Sequence, residues 1–164
     1  MRSFFTFPNP VNDKAARTVA GVVLVGVIVT LATGWYWLLI PITYGFWARV
    51  LAGPKLSPLA WTAMHVIAPR LGEKVLVPGP PKRFAQGMGT VMSSLALLFG
   101  LILGAHTLAD IVLVLFIPAA GLESIFGICL GCRTFAALMR LGVIPESVCL
   151  ECADISRRLS SVSS

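Results

Sequence analysis

All four cysteines of the sequence fall in its last 36 residues, as the pairs Cys129-Leu130-Gly131-Cys132 and Cys149-Leu150-Glu151-Cys152 with sixteen residues between them. Two chemistries use this pattern. Four thiolates at such spacing match a structural four-cysteine zinc site, where they satisfy a tetrahedral cation. The same spacing suits two dithiols that exchange electrons or sulfur, because two intervening residues let the sulfurs meet and close a ring. A third reading leaves the thiols inert. Neither pair is followed by the glycine of a zinc knuckle. Arg133 beside Cys132, and a helix start near Cys149, would each favour thiolate.

Glu123 is the one acidic residue in the inner half of the fourth long apolar stretch. A carboxylate there must be paired, protonated or turned to a polar cavity. It can take the proton a reacting dithiol releases, or it can pair with Arg49 or Arg83. On an unbroken helix, six residues at about 100° each put Cys129 about 120° from it, so no direct pair is expected. His106 and Asp110 read as solvated residues at the outer end of the spans, with external proton entry as the alternative. His65 has no second histidine at ligand spacing. No phosphate loop, serine-histidine-acid set or paired-carboxylate motif is present.

The elements that hold these residues are those of an all-α membrane protein. Of 164 residues, 57% are hydrophobic and only 12% charged, far more apolar surface than one soluble core of this size can use. Four stretches, about 15–33, 35–51, 84–103 and 108–128, are long enough for roughly 30 Å of hydrocarbon at 1.5 Å per residue. The first is followed at once by another span and lacks a small-residue cleavage site, so it is expected to be retained.

Basic residues set the orientation. All 13 lie before the first span, between the second and third, or after the fourth, apart from those at the spans' inner ends. The turns near Gly34 and from Gly104 to Thr107 have none, so both termini and all four cysteines are expected on the cytoplasmic side. Permanent disulfides are then disfavoured. The +6 net charge is accounted for by this asymmetry and anionic headgroups, without nucleic acid.

The reading divides the chain into a transmembrane domain over 1–128, a cytoplasmic double-CxxC segment over 129–159 and a disordered tail over 160–164. Within the inner-surface loop 53–83, Ser57-Pro58 starts a short helix, and Val77-Pro78-Gly79-Pro80-Pro81 is expected to be a stiff, non-helical connector. In span three, Ala85, Gly89 and Ser93 form a small-residue stripe for close helix packing. Beyond span four, a helix over Thr134–Leu141, a stop at Gly142 and a restart at Pro145 outline a helical hairpin that brings the two cysteine pairs together.

The motifs Phe7-Pro8-Asn9-Pro10-Val11-Asn12, Leu56-Ser57-Pro58-Leu59, Pro78 to Gly87, Cys129 to Cys132 and Cys149 to Ile155 carry a resemblance covering nearly the whole chain. The chain resembles an uncharacterised bacterial integral membrane family, a domain of unknown function. The resemblance implies a cytoplasmic (inner) membrane location and an association with thioredoxin-like and rhodanese-like sulfurtransferase proteins. The expected function is therefore a membrane-embedded thiol-redox or sulfur-relay component using Cys129, Cys132, Cys149 and Cys152, with Glu123 as proton acceptor. A membrane quinone is a candidate second redox terminus. A membrane scaffold or accessory subunit with zinc on the same four cysteines is the alternative. The bilayer, and a larger membrane complex or homo-oligomer, complete the expected partners.

Overall fold

The computed structural model describes residues 10–144; Cys149, Cys152, the Pro145 restart and the tail lie outside the described residues. Two short strands come first in the architecture. Strand β1 (Val11–Asn12) pairs antiparallel with β2 (Leu76–Val77), Val11 opposite Val77, and Asp13 N–H donates to Val75 O at 2.8 Å. The residues just before the first long helix are thereby tied to the end of the loop over 53–83.

Helix α1 (Asp13–Thr33) follows directly, with Asn12 Oδ1 capping Lys14 N–H at 3.1 Å. Ala15, Val19, Val23, Val27 and Thr30 recur every three or four residues and are buried, while Val22, Val25 and Ile28 on the other side are exposed. A helix apolar on both its packed and its open face suits lipid surroundings. Gly34 ends it at φ 70°.

Three helical stretches are long and apolar enough to cross a membrane: Asp13–Thr33, Gly79–Ile102 and His106–Phe126. The uniform second span expected over 35–51 is instead a 3-10 turn, Tyr36–Leu38, followed by α2 (Leu39–Ala52). Pro41 explains the division. It has no N–H for a helix begun at Trp35, but in the first turn of α2 none is needed.

The segment over 53–83 contains α3 (Pro58–Thr62), capped by Ser57 Oγ on Ala60 N–H at 3.3 Å and extended by a π turn and a 3-10 turn to Leu71. Trp61, His65, Val66 and Arg70 all remain exposed, and Lys14 Nζ donates to Leu71 O at 2.6 Å. The connector expected to exclude helix does not. Gly79-Pro80-Pro81 is the first turn of α4 (Gly79–Leu97), where the missing donors would have had no partner anyway.

Helix α4 and its π turn (Leu98–Ile102) make up the second of these three long stretches, and α5 (His106–Gly121) and its π turn (Leu122–Phe126) the third. Helix α6 (Leu130–Arg140) starts four residues earlier than expected. Helix α1 packs on α5, α5 on α4, and α4 on both α2 and α6. The stripe of α4 serves these internal contacts: Ala85 faces Gly131 of α6, Gly89 faces the Phe46 ring, and Ser93 O accepts from Thr43 Oγ1 at 3.2 Å.

Candidate functional site

Cys129 and Cys132 straddle the N-terminus of α6. Cys129 is the N-cap residue, its Sγ accepting the Cys132 backbone N–H at 3.4 Å, and the Cys132 thiol donates to the same sulfur. That hydrogen bond holds the Cys129 thiol below its ordinary range; burial and Glu123 oppose the shift, and the Lys82 ammonium assists it. The reciprocal effect pushes Cys132 well up, with burial adding to it. The stabilised thiolate is therefore Cys129, and the expectation that Arg133 would activate Cys132 is corrected.

Gly131 fixes where the pair sits. A Cβ there would come within 2.5 Å of both Ala85 Cα and Ala85 Cβ, so only glycine lets α6 lie this close to α4. Phe84 and Phe135 then pack with their rings tilted at 58° and 5.7 Å between centroids. Gly127, at φ 67°, turns the chain out of the last π turn over the Arg17 guanidinium.

Beneath the pair lies a buried ionic cluster. Lys82, 4% exposed, places Nζ 2.8 Å from Glu123 Oε1 and 2.9 Å from Asp13 Oδ1; Arg17 Nε is 2.9 Å from Asp13 Oδ2. Glu123 is thus paired with Lys82, not with the expected Arg49 or Arg83. Nor does the unbroken-helix geometry apply, because the π turn and Gly127 intervene, and Glu123 and Cys129 line one cavity.

Arg49, near the end of α2, is only 6% exposed. Its Nε donates to Gln86 Oε1 at 2.8 Å and its guanidinium covers the Phe46 ring at 4.4 Å. At the opposite end of the bundle, His106 stacks on Tyr36 at 4.6 Å, and Tyr36 OH donates to Asp110 Oδ1 at 2.8 Å. The two share this cluster, His106 remaining exposed and Asp110 half-buried.

Two spaces meet at Cys129. One is an open cleft of about 530 Å³, reached also by Asp13, Lys82, Cys132 and Arg133. The other is a cavity of about 250 Å³ between the helices. Among the described residues no cluster of three or more His, Cys, Asp or Glu is set to hold a metal; Cys149 and Cys152, which a four-cysteine site needs, lie outside them. Sequence reasoning missed Lys82, Asp13 and Gln86. The available signal was Asp13 four residues before Arg17 at the head of a long apolar helix.

Fold and site together define a helical protein of membrane type, with a dithiol at a helix N-terminus above a buried ion-pair cluster. Residues 11–140 match the family described as Domain of unknown function (DUF4395), and the chain belongs to that family. No curated protein and no solved structure matches it.

Proposed function

We propose that the chain is a thiol-redox or sulfur-relay component of a bacterial cytoplasmic membrane, crossing it four times with both termini and the cysteines on the cytoplasmic side. The observation that carries the reading is the Cys129 sulfur accepting from both the Cys132 N–H and the Cys132 thiol, beside a cleft. Such a sulfur is a ready nucleophile whose resolving partner is already in contact.

The Cys129 thiolate attacks a divalent sulfur of a soluble partner, forming a mixed disulfide and releasing the partner's first thiolate. Cys132 then gives up its proton and attacks the Cys129 sulfur. The Cys129–Cys132 disulfide forms, and the partner leaves with its second sulfur reduced. With a persulfide partner, attack on the outer sulfur leaves Cys129 persulfidic and the partner a thiolate. Cys149 and Cys152 would exchange with this pair. A thioredoxin-like disulfide and a sulfurtransferase persulfide are the partner classes that fit.

Purified full-length protein, assayed for metal and free thiol across a graded thiol–disulfide buffer, tests the reading. Metal-free protein that reversibly loses two hydrogens between Cys129 and Cys132 is the expected result. About one zinc per chain with all four thiols masked would replace the relay by the scaffold.

A further inference from the structure

The cavity on the bundle side of Cys129 is lined in part by Arg49, whose guanidinium keeps one buried donor without a partner. Arg49, 6% exposed, spends Nε on Gln86, and its Nη1 lies over Gly45, where a Cβ would approach within 3.1 Å. Its Nη2 is buried with no hydrogen-bond partner. A buried guanidinium donor left open is costly, and such groups mark sites for an acceptor.

The rest of the cavity says what kind of acceptor. Phe46 and Phe116, edge to face at 5.6 Å, and Met92 give it apolar walls, and Cys129 and Glu123 line it as well. Two lining residues, Met88 (40% exposed) and Leu115 (62%), reach the outer surface of the bundle, where lipid would lie. A ligand entering there is lipophilic, carries an oxygen acceptor and meets a thiol.

We propose that this cavity takes the headgroup of a membrane quinone, one carbonyl oxygen accepting from Arg49 Nη2, and that the quinone is the electron acceptor for the Cys129–Cys132 dithiol. The inference rests on the thiol-redox reading and names its second substrate. The step balances: two S–H bonds break, one S–S bond forms, and two electrons and two protons pass to the quinone's two carbonyl oxygens to give the quinol. Cys129 lines both spaces, so a soluble partner in its dithiol form can return the disulfide to dithiol from the cleft, running the exchange described above in reverse and leaving as a disulfide, while quinone is reduced from the lipid side.

The test uses reduced full-length protein in quinone-free nanodiscs with decylubiquinone as probe. Dialysis measures binding, absorbance follows quinone reduction, and mass spectrometry locates the disulfide. Expected are about one quinone bound and reduced per chain, with affinity about tenfold or more weaker in Arg49→Met, through loss of a charged donor. Ala119→Phe, which narrows the same cavity at a half-buried position, should weaken it comparably, and thermal melts establish that both variants are folded. Equal retention by both folded variants means partition into lipid and overturns the proposal. So does quinone that binds without being reduced. Wild-type protein oxidised by a soluble disulfide but not by quinone would sink this inference alone; thiols inert to both would sink the thiol-redox reading with it.

Discussion

Lys82 Nζ sits 2.8 Å from Glu123 Oε1 at the junction of α4 with the last π turn, and the same ammonium holds Asp13 at 2.9 Å. One cation therefore ties the starts of α1 and α4 to the end of the fourth apolar stretch, under the cysteines. Lys82→Met leaves two carboxylates facing each other without their shared partner. Removing one member of a buried pair costs about 3–5 kcal/mol. The variant should melt far below wild type in detergent, whereas Lys74→Met, at an exposed position, should not. Equal melting of the two would mean the cluster contributes nothing.

Cys129 should be the reactive thiol. The Cys132 hydrogen bond favours its deprotonated form, so its alkylation by iodoacetamide should reach half-maximum below the ordinary thiol value of about 8.5. Cys132, shifted the other way, should stay unmodified through the same range. Cys132→Ala removes the donor and should move the Cys129 midpoint upward; Cys132→Ser, which keeps a donor, should move it less. Peptide-resolved mass spectrometry reads each site, and an unchanged midpoint in Cys132→Ala would refute the assignment.

Local patterns in the chain carried much of this arrangement. The four-residue recurrence of Ala15, Val19, Val23 and Val27 marks the buried face of α1, Ser57 marks a helix start, and the C-L-G-C run marks the dithiol. What stayed hidden depends on contacts distant in sequence. The proline run before Lys82 reads as a stiff connector with no sign of a buried cation, yet the pairing of β1 with β2 draws Lys82 onto Asp13 and buries it. The relation of Glu123 to Cys129 was obscured for another reason. Helical periodicity assumes a uniform 100° step, which a π turn and a left-handed glycine both break.

Gly131 should tolerate no side chain. In Gly131→Ala the new Cβ meets Ala85 Cα as well as its Cβ, and overpacking of this kind typically costs about 1–3 kcal/mol. Helix α6 should be forced away from α4, exposing Phe135 and raising the alkylation rate of Cys132. Ala85→Gly should not restore wild-type behaviour, because the backbone contact remains. Full rescue by that double variant would show that the close approach of α6 is not governed by the α4 backbone.

The last expectation concerns how often the chain crosses the bilayer. Tyr36–Ala52 rises only about 27 Å, counting 2.0 Å per 3-10 residue and 1.5 Å per α residue, slightly short of roughly 30 Å of hydrocarbon. If it did not cross, α1 would leave the following loop on the outer side. The contacts argue otherwise: β2 pairs with β1 at the very start of α1, and Lys14 donates to Leu71 O. A segment held to the beginning of α1 has to lie on the side where α1 begins, so α2 must bring the chain back, with local bilayer thinning covering the small mismatch. Single cysteines introduced as Lys55→Cys and His106→Cys, in a chain whose four native cysteines are serine, separate the possibilities. In intact spheroplasts a membrane-impermeant maleimide should label position 106 and reach position 55 only after permeabilisation, because every Lys and Arg lies outside the outer turns. Labelling of both positions from outside would eliminate the crossing at Tyr36–Ala52, and labelling of position 55 alone would invert the protein and remove the cytosolic setting on which the proposed thiol chemistry depends.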